Sequence, residues 1–249
     1  LQERYGVEHI VFVGDEFTVG RKRAENLCQE FLDKKLKFQW HCFSRVNDVT
    51  PELLSLMKEA GSTSVLYGIE TGDEDILKLM KKGSSLGAAR RAVKEAMKIG
   101  MKTQCGFIIG NFGDTPETIK KTIDFACELN PTIASFNIMV PFPGTEDWNR
   151  MIDLIPEELT NWDNFVPKAV TPIIQLEGLS RQELQRHIYK AYIRYYGRPS
   201  QIWRMAKFIS SPGEFWAYVR GAFGLVRQII DWRKQSKSAP LKYPFSDTL

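Results

Sequence analysis

The segment YGVEHIVFVGDEFTVGRKRAENL, residues 5–27, contains a short apolar run that ends in two adjacent carboxylates and continues into an amphipathic helical pattern. The run 9–13 has the length and the β-branched content of a buried strand. A strand of this kind leads into a loop, so we expect Asp15 and Glu16 at the mouth of that loop. Unpaired carboxylates in such a position either face water or hold a positively charged group.

The same alternation of an apolar run and a helical pattern recurs through the first 150 residues. The runs that predict strands are 9–13, 38–44, 64–69, 103–109 and 134–140. The segments between them carry apolar residues at spacings of three and four, and two of them begin with Thr-Pro-Glu, which is typical of a helix N-terminus. Strands joined by helical crossovers predict a parallel sheet covered by helices, either an open doubly wound sheet or an arc of a (βα) barrel. Five strands cannot close the usual barrel of eight.

Composition places the chain among globular proteins. Its 249 residues are 43% hydrophobic and 26% charged, which fits one large domain or a domain with an appendage. No uncharged apolar run is long enough to predict a membrane span. The strand signals fade near residue 150, so we predict an α/β region over 1–150 and a helical extension over 151–249. The last 72 residues hold 13 Lys and Arg against 4 Asp and Glu, so the extension is the basic part.

The cysteines and histidines do not predict a metal site. The four cysteines are Cys28, Cys42, Cys105 and Cys127. They occur singly at wide spacings, which favours reduced thiols in a cytoplasmic protein over a zinc site or a disulfide framework. We expect His41 to be a packed or barrel-lining residue and His187 to be a surface residue.

Polar or glycine-rich segments follow each of the five runs. They are 14–16, 45–47, 70–72, 110–114 and 141–145. Ligands of parallel α/β folds bind beyond the carboxyl ends of the strands, so these segments should converge on one face. Each segment alone is better explained as a solvated loop or a helix cap. Together they favour a ligand that carries an ammonium and a carboxylate or hydroxyls, because carboxylates follow two strands and Arg45 lies between them. No GxGxxG sequence follows a strand, so a dinucleotide fold is not supported.

Five motifs occur in an order that resembles one known family. They are YGV..I.FVGDEFT, W.CFSRV..VTPELL..MKEAG, V.YGIETGDEDIL..MKKG, FIIGNFGDTPETI..TIDFA and P.PGT. The chain resembles the radical S-adenosylmethionine (SAM) superfamily, in particular the branch whose members often carry a cobalamin-binding domain ahead of the barrel. The resemblance covers about residues 1–150 and implies that they form a partial radical SAM barrel, an incomplete parallel (βα) barrel of the TIM-barrel type whose first strand is missing. The sequences RYYGRP and IWR within 194–204 resemble the helical extension that these proteins often have.

The resemblance implies a role for the acids and the arginine at the strand ends. Asp15 and Glu16 match the acidic mouth of the second barrel strand, which in the family meets the amino group of the SAM methionyl moiety. A carboxylate is a natural acceptor for an ammonium group. Glu70, in GIETG, matches the acid that contacts the ribose or the methionyl end, and Arg45 matches a position suited to the methionyl carboxylate.

The resemblance also implies an adenine-binding segment. Ile108 and the turn 110–114, which begins at Gly110, match the fifth-strand motif that packs against adenine. Pro141 and Gly144 match residues that shape the sixth strand. The catalytic residues of the substrate reaction are not predicted by these motifs.

In the family, a CxxxCxxC loop binds a 4Fe-4S cluster, and an electron donor such as flavodoxin or ferredoxin drives reductive cleavage of SAM to a 5′-deoxyadenosyl radical. The resemblance therefore implies an enzyme that modifies a small-molecule or lipid substrate, with cobalamin-dependent methyl transfer as one such reaction. This chain contains no CxxxCxxC. We expect that loop and a cobalamin domain in a preceding segment, so the chain alone should hold no cluster and be inactive. The alternative is a non-catalytic binding or scaffold module that retains the barrel but not the cluster.

The basic tail offers a second kind of interaction. Residues 214–235 form a basic, aromatic amphipathic pattern that could lie on an anionic membrane surface. Its basic and apolar stripes consist of Arg220, Arg227 and Lys234, and of Trp216, Phe223 and Ile230. Packing of the apolar stripe on the barrel, with the charges in water, is the favoured interpretation. No motif supports nucleic-acid binding.

Overall fold

A computed structural model describes residues 2–13, 16–157, 160–162, 165, 172–207, 216 and 220. Its strands are β1 (His9–Phe12), β2 (Gln39–Ser44), β3 (Ser62–Glu70), β4 (Lys102–Ile109) and β5 (Ile133–Ile138). Its helices are α1 (Gln2–Tyr5), α2 (Arg21–Asp33), α3 (Pro51–Glu59), α4 (Glu74–Leu79), α5 (Leu86–Lys98), α6 (Pro116–Leu129), α7 (Glu146–Met151), α8 (Arg181–Tyr196) and α9 (Pro199–Lys207), with a 3₁₀ turn at Ile152–Leu154. The predicted strands are confirmed within two residues at each end.

The five strands form one parallel sheet in the order β1-β2-β3-β4-β5. Each strand pairs in parallel with the next one in sequence. Parallel crossovers are almost always right-handed, so a sequential order without reversal places the connecting helices on one face of the sheet. This order is that of an arc of a (βα) barrel, and it decides between the two architectures that the periodicity left open.

The two faces of the sheet differ in burial because side chains alternate along a strand. One face packs against the helices, and its residues, such as Trp40, Tyr67 and Phe107, belong to the same hydrophobic core as Leu53 of α3 and Ile119 of α6. We call the opposite, half-buried face the inner face. On β2 to β5 it consists of His41, Phe43, Ser64, Leu66, Gly68, Glu70, Gln104, Gly106, Ile108, Ser135 and Asn137. His41 is therefore a barrel-lining residue, as expected.

Helix starts follow the predicted capping residues. The hydroxyls of Thr50 and Thr115 accept hydrogen bonds from backbone N–H groups of α3 and α6, and a proline follows each. Such caps satisfy N–H groups that have no partner within the helix. The two helices thus begin at fixed points beyond the ends of β2 and β4.

Helix α8 closes the outer edge of β5. The Tyr192 hydroxyl accepts a hydrogen bond from Phe136 N (3.2 Å) and donates one to Phe136 O (3.1 Å). The Tyr196 hydroxyl does the same at Ala134, at 3.2 Å and 2.8 Å. The spacing of the two tyrosines along α8 matches the spacing of the two strand residues along the edge of β5. Four residues of a helix rise about 6 Å, and two residues of a strand rise about 6.6 Å. The tyrosines occupy the positions at which a further strand would pair.

Residues of the RYYGRP sequence also fasten α8 to the end of α6. Arg198 donates hydrogen bonds to Cys127 O (2.8 Å) and Asn130 Oδ1 (3.0 Å), and its guanidinium stacks on Tyr195. Asn130 ends α6 in the left-handed conformation. The extension therefore shares the sheet's hydrophobic core, and the division at residue 150 stays a prediction.

His187 differs from its expected position at the surface. It is half-buried on α8, beside a groove of about 450 Å³ that also includes Ile123 of α6 and Ile193 of α8. Burial, followed by the charge of Lys190, lowers the pKa of His187. His187 was expected at the surface because the sequence of α8 is largely polar and does not indicate that this helix packs against α6.

Within the described residues, no helix has the length and apolarity needed to cross a membrane. The predicted amphipathic segment 214–235 lies outside the described residues except for Trp216 and Arg220. Its membrane contact stays a prediction.

Candidate functional site

Glu70 projects from the carboxyl end of β3 through an unusual backbone conformation. The pairing of β3 with β4 shifts between Gly68 and Glu70, and Glu70 has a φ of +72°. Left-handed conformations are uncommon for residues other than glycine, and they cluster at functional sites. The turn directs the carboxylate back over the inner face, where its Oε1 accepts a hydrogen bond from Lys82 Nζ at 2.8 Å.

Gly68 makes room for this ion pair. A Cβ at Gly68 would overlap Glu70 Oε1 and lie 3.2 Å from Lys82 Nζ. The side chains of Glu70 and Lys82 retain only 17% and 27% of their exposure, so the pair is partly shielded from water. Partial exclusion of water strengthens the attraction between the two charges. A ligand with a charged group can replace either Glu70 or Lys82 as the partner of the other.

Helix α6 holds the loop that follows Glu70. Thr122 Oγ1 accepts a hydrogen bond from Gly72 N (2.9 Å) and lies 3.0 Å from Thr71 Oγ1. A Cβ at Gly72 would come within 2.7 Å of the Thr122 Cα and 2.6 Å of the Lys121 carbonyl oxygen. The backbone at Gly72 thus lies directly on α6, and this contact fixes the position from which Glu70 turns.

A second ion pair lies at the ends of β1 and β2. Arg45 pairs with Glu16, whose side chain is 26% exposed, while Arg45 is 57% exposed. The Phe17 N–H donates a hydrogen bond to Phe43 O at 2.8 Å, which ties this loop to β2. Asp15 lies outside the described residues. The structure therefore brings Glu16 and Arg45 together, as the sequence predicted, while Glu70 takes a different cation.

The turn after β4 is built around a buried carboxylate. Asp114 Oδ2 accepts hydrogen bonds from Gly110 N (3.0 Å) and Asn111 N (2.9 Å), and Thr118 donates one to Oδ1 (2.7 Å). Burial raises the pKa of Asp114, although these hydrogen bonds oppose the rise. Gly110 has a φ of +90°, which favours glycine. Asp114 thus fixes the shape of the turn, while the buried Asn111 Oδ1 has no hydrogen-bond partner among the described residues.

Of the remaining predicted site residues, one lies on the inner face of the sheet and two are buried beyond the ends of β4 and β5. Ile108 is half-buried on the inner face, next to Asn137 in the strand pairing. Gly110 is buried, and a Cβ there would meet Leu184 of α8 at 3.4 Å. Pro141 is buried in the loop after β5. Their contacts with adenine stay predictions.

Lys82, Gly68 and Thr122 were missed by sequence reasoning. The sequence MKKG offers two adjacent lysines, and only one of them reaches Glu70. Lys81 pairs instead with Glu146 at 2.7 Å. The signal for Lys82 was present in that motif, but the choice between the two depends on the path of the loop after α4.

The cysteines of this chain do not fit an iron–sulfur cluster. Cys28, Cys42 and Cys105 are buried, and Cys42 and Cys105 lie on the helix-packed face of the sheet, opposite to Glu70. Burial raises the pKa of Cys28 to about 11 and that of Cys42 to about 12, whereas cluster ligation requires thiolates. In the part of the chain that the structure describes, no three His, Cys, Asp or Glu residues group as metal ligands.

Comparisons with known proteins agree with this geometry. The family profile described as the radical SAM superfamily matches residues 1–126. An uncharacterized methyltransferase from Pyrococcus horikoshii is 33% identical over 199 residues, which are 80% of this chain and 43% of the relative. An anaerobic magnesium-protoporphyrin IX monomethyl ester cyclase from Rubrivivax gelatinosus is 26% identical over 198 residues, which are 79% of this chain and 35% of the relative. The chain thus spans less than half the length of these two curated relatives.

A solved structure shares the fold. The radical SAM methyltransferase TsrM from Kitasatospora setae, with cobalamin and a 4Fe-4S cluster bound, gives a TM-score of 0.55 over 73% of this chain and 35% of that chain, at 19% identity. The parallel sheet, the acid at the end of β3 and the match over residues 1–126 lead to one conclusion: the chain belongs to the radical S-adenosylmethionine superfamily.

Proposed function

We propose that this chain supplies the SAM-binding part of an enzyme that reductively cleaves SAM and uses the resulting 5′-deoxyadenosyl radical to modify a small-molecule or lipid substrate. The observation that carries the proposal is the Glu70–Lys82 pair at the carboxyl end of β3. Cleavage consumes one electron per SAM and releases methionine, so the proposal includes an electron donor of the flavodoxin or ferredoxin class.

The charges at the strand ends suit the methionyl end of SAM. That group carries an ammonium and a carboxylate, and each of the two ion pairs, Glu70–Lys82 and Glu16–Arg45, presents one acid and one cation. A zwitterion can exchange with such a pair without leaving a buried charge unpaired, because each of its charged groups replaces one partner. In this proposal Glu70 or Glu16 accepts from the ammonium, and Lys82 or Arg45 donates to the carboxylate.

Ile108 and the turn that begins at Gly110 would border the adenine, and Pro141 would fix the neighbouring loop. The rigid hydrogen bonds around Asp114 support this part, because a preorganised wall loses little entropy when a ligand binds. These assignments rest on the family motifs together with the positions of the residues at the ends of β4 and β5.

Methyl transfer that uses cobalamin is the reaction we propose for the whole protein. Its support is the name of the Pyrococcus horikoshii relative, a methyltransferase, and the cobalamin in the TsrM structure. The Rubrivivax gelatinosus relative is named a cyclase, so the family resemblance alone does not determine the reaction. The cluster and the cobalamin would be bound by residues beyond the four cysteines of this chain.

A non-catalytic module is the second candidate. In this candidate the barrel is retained and no cluster is bound; the chain itself contains no CxxxCxxC sequence. The two candidates differ in one observable: a protein in which this chain is joined to a cluster-binding segment should form 5′-deoxyadenosine from SAM and a reductant. A binding module would not.

Glu70→Gln is expected to weaken SAM binding by about 1–3 kcal/mol in a protein that carries the cluster, because a charge-assisted hydrogen bond is lost. Isothermal calorimetry measures the change, with the cluster confirmed by its absorbance. Glu146→Gln is the matched control, since Glu146 pairs with Lys81 in the neighbouring loop. Equal affinities for all three proteins would make Glu70 a structural residue.

Anaerobic reconstitution of this chain with iron and sulfide is expected to give no stoichiometric cluster absorbance and no 5′-deoxyadenosine. The reason is that burial holds the Cys28 and Cys42 thiols protonated on the helix-packed side of the sheet. A stable cluster on the isolated chain would show that the cysteines rearrange and would contradict our assignment.

A further inference from the structure

The groove between α6 and α8 is an apolar surface of the helical layer. Its volume is about 450 Å³, and its apolar part consists of Pro116, Ile123 and Ile193. Ile193 is 49% exposed, so the described residues leave this surface open. All the residues that line the groove belong to the two helices, which separates it from the ion pairs at the strand ends. An exposed apolar surface with a polar rim marks an interaction site.

The two helices run parallel, so their residues correspond in a fixed register. Arg194 of α8 pairs with Asp124 of α6, and Arg198, just after α8, donates a hydrogen bond to the last turn of α6. Residue numbers therefore increase in the same direction along both helices. One turn before the Arg194–Asp124 pair, Lys190 of α8 corresponds to Lys120 of α6, and both line the groove. The groove thus has a lysine on each side.

The rim of the groove carries more positive than negative charge. Lys120 pairs with Asp124 at 2.7 Å, and Arg194 pairs with the same carboxylate. Lys190 is exposed and has no hydrogen-bond or ion-pair partner among the described residues. Three cations therefore share one carboxylate. A ligand with carboxylates would supply the missing negative charge.

His187 adds an uncharged polar group to the groove. It is half-buried, and burial, followed by the charge of Lys190, lowers its pKa, so the imidazole is neutral near pH 7. In the part of the chain that the structure describes, its ring nitrogens have no hydrogen-bond partner. Glu183, one turn earlier on α8, accepts hydrogen bonds from Ser180 instead. The His187 imidazole can therefore donate a hydrogen bond to an occupant of the groove.

The distribution of these groups favours a helix as the occupant. The groove between two packed helices accepts a third helix that presents apolar residues at spacings of three and four. Cations on both sides of the groove match carboxylates on both flanks of such a helix, whereas an amphiphile with one anionic headgroup would pair at one end only. Segment 208–249 of this chain is a poor match, because it holds 6 Lys and Arg against 3 Asp and Glu and would bring like charges together.

We propose that the α6–α8 groove binds an amphipathic helix of a partner protein, with an apolar face flanked by glutamate or aspartate. Ile123 and Ile193 contact the apolar face of that helix. Lys120 and Lys190 pair with carboxylates on its opposite flanks. The proposal goes beyond the proposed function and does not depend on it, because no residue of the groove lies at the strand ends.

The test compares three synthetic peptides of equal length. The acidic peptide carries leucines at positions i, i+3, i+4 and i+7 with glutamates on both flanks. The basic peptide has lysines in place of the glutamates, and the scrambled peptide has the composition of the acidic one without an apolar face. Fluorescence anisotropy measures the binding of each labelled peptide to this chain. The acidic peptide is expected to bind about tenfold more tightly than either of the others.

Lys190→Glu reverses one charge of the rim without breaking an ion pair of the described residues. The acidic peptide should then bind about tenfold more weakly and the basic peptide more tightly, because the charge complementarity is reversed at this position. A gain of affinity for the basic peptide cannot result from unfolding. Lys22→Glu is the matched control, since Lys22 is exposed on α2 and its replacement changes the net charge equally. It should leave both affinities unchanged.

Ile193→Ser tests the apolar contact. It should weaken the binding of the acidic peptide about tenfold, because the apolar face of the peptide loses its exposed partner. Ile202→Ser is the control, since Ile202 is 57% exposed on α9 and does not line the groove. Equal effects of the two substitutions would contradict binding in the groove.

Three results overturn the proposal. The first is equal affinity for the acidic and basic peptides, or no binding of either. The second is binding of vesicles of phosphatidylcholine and phosphatidylglycerol that Lys190→Glu abolishes, without binding of the acidic peptide, which would make the groove a lipid-binding surface. The third is self-association that light scattering detects and Lys190→Glu abolishes, which would assign the groove to a second copy of this chain.

Discussion

Gly72→Ala is expected to destabilise the chain by about 3 kcal/mol, the upper part of the range for overpacking a well-packed site. The added methyl group would lie 2.6 Å from both the Lys121 carbonyl oxygen and the Phe125 Cβ, and 2.7 Å from the Thr122 Cα. Two of these atoms belong to the backbone of α6, which cannot yield without moving the helix. The loop would have to lift away and would lose the hydrogen bond from Gly72 N to Thr122 Oγ1.

Urea denaturation followed by circular dichroism measures this loss. Gly87→Ala is the matched control, because Gly87 lies in α5 with no atom closer than 3.7 Å to an added Cβ. Alanine at that helical position is expected to stabilise the chain by about 0.5–1 kcal/mol. If Gly72→Ala were as stable as the unmodified chain, the close packing of the β3–α4 loop on α6 would be incorrect.

The packing of this loop on α6 also determines the backbone conformation of Glu70. Thr122 is buried and holds both Thr71 and Gly72, the two residues after Glu70. Asp73, the next residue, caps α4 and receives a hydrogen bond from Lys121 at 2.6 Å. Burial alone would raise the pKa of Asp73, but the hydrogen bonds from Lys121 and the backbone N–H groups of α4 lower it. Glu70 therefore keeps its left-handed turn because α6 holds the loop behind it.

The sheet could be predicted from the sequence because burial of the helix-packed side of each strand places apolar residues at alternate positions. Runs such as 103–109 and 134–140 have this pattern, and their positions as β4 and β5 are confirmed. The order of the strands could not be predicted from periodicity, since an open sheet and a barrel use the same strands and helices. The resemblance to a known family favoured the barrel.

The site could be predicted only in part. Glu16 and Arg45 were expected together, since they follow neighbouring strands, and the structure pairs them. Lys82 was not expected, because it reaches Glu70 across a helix and a turn whose geometry the sequence pattern does not specify.

The role of the tyrosines of α8 could not be predicted from the sequence either. The sequence RYYGRP suggested a family extension, but its spacing did not reveal that Tyr192 and Tyr196 match the edge of β5. Burial raises the pKa of Tyr192, so its hydroxyl stays protonated and continues to donate to the Phe136 carbonyl oxygen. An exposed strand edge is a site for pairing with other chains, and here two side chains occupy it.

Tyr192→Phe combined with Tyr196→Phe is expected to destabilise the chain by about 2–4 kcal/mol. The double variant leaves two backbone N–H groups and two carbonyls at Ala134 and Phe136 without partners in a partly buried place, and each unsatisfied group costs about 1–3 kcal/mol where water does not reach it. Urea denaturation measures the loss. Tyr5→Phe is the control for hydroxyl removal, because Tyr5 is 65% exposed and should change stability by less than about 0.5 kcal/mol.

Amide hydrogen exchange tests the mechanism behind that loss. In the double variant, the Ala134 and Phe136 amides should lose protection beyond the change in global stability, whereas the Ser135 and Asn137 amides, which alternate along the strand towards β4, should follow the global change alone. Equal protection of the four amides would contradict direct capping by the tyrosines. Because the uncapped edge can pair with a second chain, the double variant should also form dimers or larger assemblies that light scattering detects.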